Sequence, residues 1–213
     1  MINFYFSHFI NNEPNNLKSK SPYIFVVRFI GYFVIFYFFF PAYRGIVGQG
    51  GLVYSSFLEN HFNIITGLTR ILTNSANAIL EILQYSTLQK NYHSLKIVNS
   101  PGISVNPSCL GWGVMSFWAA FTLANIGSIV FKLKWLLFGI ISIMTLNITR
   151  IILIVLANHH KWSFISSLDH HLTFNIFSYL FIFLLTGFFI KNLGKYEMLE
   201  VNEKAKKYEI SGV

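Results

Sequence analysis

The sequence predicts an all-α fold, a polytopic membrane helix bundle with about four spanning helices and one amphipathic or interfacial helix. Charged residues make up only 11% of the chain and hydrophobic residues 54%, whereas a soluble domain carries about 25% charged residues. Four apolar runs reach the roughly 20 residues that a spanning helix needs. A fifth segment has the periodicity of an amphipathic helix.

The four apolar runs divide the chain into a membrane domain and two polar ends. They are Tyr23–Tyr43, Gly111–Phe131, Trp135–Ala157 and Leu172–Ile190. We expect a polar cytoplasmic N-terminus over 1–22, a transmembrane domain over 23–190 and a lysine-rich cytoplasmic tail over 191–213.

Residues 64–83 show the i, i+3, i+4, i+7 spacing of an amphipathic helix. The apolar positions are Ile64, Ile65, Leu68, Ile71, Leu72, Ala76, Ile79, Leu80 and Leu83. The other face carries Thr66, Arg70, Thr73, Asn74, Asn77, Glu81 and Gln84. We expect this helix to lie in the interface or to pack against the bundle, because its polar face is unsuited to crossing lipid alone. In the polar loop 91–108, the alternating piece L-K-I-V is compatible with a short strand.

The distribution of lysine and arginine predicts the orientation. Basic residues cluster before the first span, between the second and third, and after the fourth. They are Lys18, Lys20, Arg28, Lys132, Lys134, Lys191, Lys195, Lys204, Lys206 and Lys207. Four crossings place all three groups on one side, and the positive-inside rule makes that side the cytoplasm. The net charge of +8 is therefore assigned to topology and not to nucleic-acid binding. We expect a multi-pass protein of the inner membrane, in contact with the lipid bilayer.

Cys109 is the only cysteine of the chain and lies in N-P-S-C-L-G-W, between a polar loop and the second apolar run. A single cysteine excludes an internal disulfide framework and a thiolate metal cluster. The predicted topology places Cys109 at the outer mouth of the second helix, where the compartment is oxidising. A free thiol in that position is expected to have a function.

Two other polar features fall on the same side. The third apolar run contains L-N-I-T-R, which places Asn147 and Arg150 three residues apart on one helix face. An arginine inside a membrane helix usually faces the bundle interior or a water-filled cavity. Asp169, His170 and His171 open the fourth helix. A thiol, a guanidinium and an imidazole thus converge from separate segments.

These three groups together suit acyl transfer. A thiolate is a nucleophile that a nearby cation stabilises. Histidine can accept the thiol proton and pass it to a leaving amine, and arginine can stabilise the oxyanion. The adjacent histidines and single carboxylate are poor first ligands for a metal, so we expect neither a metal nor a cofactor.

The motifs C-L-G (Cys109–Gly111), N-I-T-R (Asn147–Arg150) and D-H-H-L-T-F-N (Asp169–Asn175) resemble those of the exosortase/archaeosortase family. The resemblance covers roughly residues 101–190. The family's more usual C-S-G reads C-L-G here. The glycine that commonly follows the family's histidine by four positions is Asn175 after His171 and Phe174 after His170.

The resemblance implies a membrane-embedded cysteine protease, thought to act as a transpeptidase. Its substrates would be membrane-anchored proteins whose C-terminal sorting signal is a short motif, a hydrophobic helix and a basic cluster. It implies Cys109 as the nucleophile, Arg150 as the cationic stabiliser and a histidine as the general acid/base. We favour His171 and keep His170 as the alternative. Asn147 and Asp169 would support the site.

A second interpretation from a different class is a transporter or assembly subunit that binds an anionic ligand through Arg150. Other conspicuous residues are expected to have structural or solvent roles. Trp112, Trp118 and Trp135 are predicted interfacial anchors. His159 and His160 are predicted to be solvated loop residues.

Overall fold

The structure is a computed structural model that describes residues 22–48, 53–162 and 170–211. Its helices are α1 (Pro22–Val47), α2 (Ser56–Phe62), α3 (Ile64–Ile82), α4 (Trp112–Ala124), α5 (Ile129–His160) and α6 (His170–Ser211). Between α3 and α4 lies an antiparallel sheet of three short strands in the order β1 (Thr87–Leu88), β2 (Ser94–Ile97), β3 (Ile103–Ser104). The strand expected at L-K-I-V is confirmed in β2.

Three of the described segments are long and apolar enough to cross a membrane: Pro22–Val47, Ile129–His160 and Ile176–Tyr196. The expectation of a membrane protein is therefore supported. The predicted span Gly111–Phe131 is not one continuous helix, because α4 has 13 residues and ends at Ala124. Gly127 has φ +126°, and the Ser128 side chain then caps α5 by accepting a hydrogen bond from the Phe131 amide.

One end of the bundle carries Arg28, Lys132 and Lys195, and we call it the basic end. The α1 residue Arg28 lies within electrostatic range of Lys132 in α5. Lys132 Nζ donates to the Leu123 carbonyl at 3.1 Å, in the last turn of α4. Tyr196 of α6 stacks on Phe131 with ring centroids 4.8 Å apart. The opposite end, where α1 and α5 finish and α6 begins, is the distal end.

Near the basic end, four helices pack around aromatic residues. α4 runs antiparallel to α1, with Phe121 against Phe25 and Trp112 against Phe40. Trp118 of α4 is fully buried among residues of α5 and α6. The prediction that Trp118 is an interfacial anchor is wrong. Its indole N–H donates to the Trp135 carbonyl at 3.1 Å, because Gly139 has no Cβ to fill the space that the ring occupies.

Towards the distal end, α3 and the sheet pack on the second half of α5. Buried side chains from all three elements form one apolar cluster, with Leu72 and Leu80 from α3, Leu95 from β2 and Val155 from α5. The helix α5 is about 48 Å long at the helical rise. It contributes residues to both apolar clusters and so joins the two halves of the molecule.

The amphipathic helix predicted at 64–83 is confirmed in α3, but its buried face differs from the expected one. Thr73, expected on the polar face, is fully buried, while Ile71, expected on the apolar face, is 52% exposed. Thr69 and Thr73 enter the core because their hydroxyls donate to the carbonyls one turn earlier, at 2.8 and 2.9 Å. A threonine that bonds its own helix in this way leaves no polar group unpaired in the core.

Candidate functional site

Cys109 lies in a 3-10 helix, Pro107–Leu110, directly before α4. We call this helix together with Gly111 the cysteine turn. Asn106 is extended and Pro107 occupies the first turn, where its missing N–H costs nothing. The Cys109 amide donates to the Asn106 carbonyl at 2.8 Å. The Cys109 side chain is half-buried and packs against the apolar cluster of the distal half.

Gly111 ends the 3-10 helix in the left-handed region, with φ +70° and ψ 24°. L-residues with a side chain rarely adopt this conformation, so glycine is the residue that suits it. The contact with α5 adds a second requirement, because a Cβ at Gly111 would lie 2.6 Å from Asn147 Nδ2. The glycine of C-L-G is thus explained by backbone conformation and by close packing.

Asn147 is buried in the middle of α5, and its Nδ2 donates to the Leu110 carbonyl at 3.1 Å. Loss of this hydrogen bond would leave a buried amide and a buried carbonyl unpaired. The fold would then lose more stability than the net strength of one hydrogen bond in water. Two of the motifs found in the sequence therefore touch. Asn147, expected only to support the site, holds the cysteine turn on α5.

Arg150 is three residues beyond Asn147 towards the distal end, on the same face of α5. It is 8% exposed. The adjacent Ile151 belongs to the same apolar cluster as Leu110. The guanidinium therefore lies in the protein interior, on the helix face that carries the cysteine turn, and not towards lipid. This is the environment expected for an arginine kept within a membrane helix.

Asp169 and the side chains of His170 and His171 lie outside the described residues. The backbone of α6 begins at His170. Tyr179 of this helix lines the same cavity as Gly111. His171 precedes Tyr179 by eight residues, about 12 Å along the helix axis towards the distal end.

His159 and His160 are helical and not in a loop as predicted, because α5 continues to His160. The expected exposure holds for His160. The Tyr85 hydroxyl lies 3.1 Å from His160 Nε2, and the His160 ring stacks on Trp162. His160 is 13 residues beyond Asn147, about 20 Å along the same straight helix. Both imidazoles are thus removed from the cysteine turn.

A cavity of about 440 Å³ adjoins the cysteine turn between α1, α4 and α6, and we call it the interhelical cavity. The described residues that line it are Phe33, Tyr37, Gly111, Trp112, Gly113, Val114, Phe117, Tyr179 and Ile182. None of these carries a charge, so the cavity suits an apolar chain. Sequence reasoning did not identify Tyr37 or Tyr179, because each lies within an apolar run and resembles an ordinary lipid-facing aromatic residue.

Comparisons with protein-family models, with curated proteins and with solved structures give no match for this chain. The motifs and their arrangement around α5 are therefore the basis for a functional proposal.

Proposed function

We propose that the protein is a membrane-embedded cysteine protease or transpeptidase of the exosortase type. It cleaves the C-terminal sorting signals of exported, membrane-anchored proteins at the outer face of the inner membrane. The observation that carries the proposal is the contact between Leu110 and Asn147, which joins the cysteine turn to the face of α5 that bears Arg150. Two motifs 37 residues apart, each unusual in a membrane segment, are thereby neighbours.

In the proposed reaction Cys109 Sγ attacks the scissile carbonyl carbon. His171, or His170 in its place, accepts the thiol proton. Arg150 stabilises the negative charge that develops on the carbonyl oxygen. The C–N bond then breaks, the leaving amine takes the proton from the histidine, and a thioester to Cys109 remains. Water or an acceptor amine attacks the thioester carbonyl, the C–S bond breaks, and the thiol is regenerated.

The proposed topology has four crossings, with α4 as the short second one. Thirteen residues span about 20 Å at the helical rise, which is less than the hydrocarbon core of about 30 Å. A short α4 keeps the cysteine turn below the distal ends of α1 and α5. The basic end faces the cytoplasm. The scissile bond would then be cleaved within the outer part of the membrane and not above it.

The test is co-expression with candidate sorting-signal proteins, followed by mass spectrometry of their new C-termini. Cys109→Ala should lower processing by roughly 1,000-fold or more, as expected when a covalent nucleophile is removed, with membrane insertion unchanged. Arg150→Lys should also impair processing, because lysine cannot reproduce the planar donor fork.

The matched histidine variants His170→Ala and His171→Ala identify the acid/base, since only one of them should abolish cleavage. The rival interpretation, a transporter or assembly subunit that uses Arg150 for an anionic ligand, predicts that Cys109→Ala has little effect. Full processing by the Cys109→Ala variant would therefore rule out the protease.

A further inference from the structure

Two tyrosines from different helices line the interhelical cavity. Tyr37 belongs to α1, where its ring would contact a methyl group at Gly113 at 3.7 Å. Tyr179 belongs to α6. Of the described lining side chains, only these two and Trp112 carry a polar atom. The Trp112 indole N–H is already donated to the Phe36 carbonyl at 2.9 Å. The two phenol hydroxyls are therefore the polar side-chain groups available to an occupant.

The depth of this cavity makes its polar groups significant. Tyr37 lies ten residues before the end of α1 at Val47, about 15 Å along the helix axis. The cavity therefore lies well inside the candidate span Pro22–Val47. Its walls continue directly into the exposed apolar surface of α1 and α6, where Phe38 is 61% exposed and Phe183 is 75% exposed. A chain embedded in lipid can reach the cavity sideways without passing through water.

Cleavage at Cys109 requires the substrate backbone to leave its helix near the scissile bond. An unwound backbone exposes N–H and C=O groups, which is tolerated at membrane depth only where protein supplies partners or a polar cavity. Unpaired amides in an apolar environment are costly. A phenol hydroxyl can both donate and accept a hydrogen bond, so it can serve either group of an extended peptide.

We propose that the interhelical cavity binds the unwound start of the substrate's apolar segment, and that Tyr37 and Tyr179 hydrogen-bond its backbone there. This inference rests on the proposed function and adds a binding site to it. The cavity begins at Gly111, two residues after Cys109 in the cysteine turn, so a chain held between the two phenols lies next to that turn. Both tyrosines are positioning residues that hold the unwound segment beside the cysteine turn.

The first test removes the hydroxyls while retaining the rings. Tyr37→Phe and Tyr179→Phe should each raise KM by roughly 3- to 10-fold, the range for one hydrogen bond, with kcat little changed. The matched control is Tyr32→Phe, on the same helix as Tyr37 and outside the cavity lining, which should behave as the unsubstituted protein. If Tyr37→Phe and Tyr179→Phe are indistinguishable from Tyr32→Phe, the inference is wrong.

The second test measures binding without turnover, in the Cys109→Ala variant. A photoreactive p-benzoylphenylalanine replaces Tyr179, or in the control replaces Leu180, which is 55% exposed and does not line the cavity. The probe is a co-expressed exported reporter that ends in the apolar segment and basic cluster of a candidate sorting-signal protein. Cross-linking should be strong at position 179 and weak at position 180.

The two proposals fail in different ways. If Cys109-dependent processing of the reporter occurs but position 179 captures no more of it than position 180, the cavity proposal is overturned and the protease remains. If position 179 captures the reporter but cleavage does not depend on Cys109, the cavity binds the segment and the protease proposal falls. Without capture or cleavage, both proposals fail.

Discussion

At the residue scale, Gly111 and Asn147 form the contact on which the site is built. The glycine has φ +70° and would place a Cβ 2.6 Å from the Asn147 amide nitrogen. Gly111→Ala should therefore destabilise the protein by about 2 kcal/mol or more, from the left-handed backbone cost and the displaced amide together. In detergent the Tm should fall by roughly 4–8 °C, and processing should fall with it.

Gly113→Ala is the matched control for this substitution. An added methyl at Gly113 would make only an ordinary contact with Tyr37, and alanine favours the helix by up to about 1 kcal/mol. Its Tm should be unchanged or higher. A double-mutant cycle adds a sharper measurement: once Asn147→Ala has removed the amide, Gly111→Ala should cost less than it does alone. Equal costs in the two backgrounds would show that the two residues are not coupled.

The motifs around these residues could be found from the sequence, but their contact could not. Spacing alone places Asn147 and Arg150 on one helix face. Spacing does not show that the cysteine turn, 37 residues earlier in the chain, packs on that face. Packing between distant segments depends on the shapes of both. Gly111, two positions after Cys109, likewise suggests a turn. The sequence does not indicate that Asn147 occupies the space where a side chain at Gly111 would lie.

At the element scale, α4 and α5 are joined by a tryptophan seated on a glycine. Trp118 is fully buried, and a Cβ at Gly139 would overlap its indole ring. Gly139→Ala should therefore separate α4 from α5 at a cost of about 1–3 kcal/mol. Thermal unfolding in detergent measures the cost, and the tryptophan emission should shift as the indole leaves its buried position.

Gly187→Ala in α6 is the control that tests whether the destabilisation by Gly139→Ala comes from the contact with Trp118. Among the described residues, no side chain and no other segment lies within 4 Å of the position that a Cβ would take there, apart from the immediate chain neighbours. The substitution should leave the Tm unchanged or raise it slightly, because alanine is the better helix former. A fall in Tm as large as that of Gly139→Ala would contradict the proposed packing.

The sequence predicts which segments are helical better than it predicts where each helix ends or which of its faces is buried. Hydropathy identifies α1, α5 and α6 because each carries a long apolar run. It does not detect the end of α4 at Ala124, since Ile126 and Ile129–Phe131 continue the apolar character across the break. The buried face of α3 is misplaced for a similar reason. Residue type classes Thr73 as polar, whereas its hydroxyl is satisfied within the helix.

At the scale of the whole molecule, the cysteine turn lies where two differently built halves meet. The half near the basic end is a bundle of aromatic-rich apolar helices, and the distal half packs α3 and the sheet against α5. Asn147, at the level where α5 passes from one apolar cluster to the other, holds the turn. In the proposed reaction, a site at this junction would receive the apolar segment of the substrate from the aromatic half and its polar part from the half that contains the sheet.

This arrangement has a definite orientation if the protein works as proposed. Arg28, Lys132 and Lys195 lie at one end, and in the proposed topology the positive-inside rule assigns that end to the cytoplasm. The Cys109→Ala variant has no other cysteine, so single cysteines can be introduced at exposed lysines. Lys96→Cys, in β2 of the distal half, should react with a membrane-impermeant maleimide in cells whose outer envelope has been permeabilised. Lys195→Cys, in α6 near the basic end, should react only after the inner membrane is lysed. The reverse pattern would place Cys109 on the cytoplasmic side, where an enzyme acting on exported proteins has no access to its substrate.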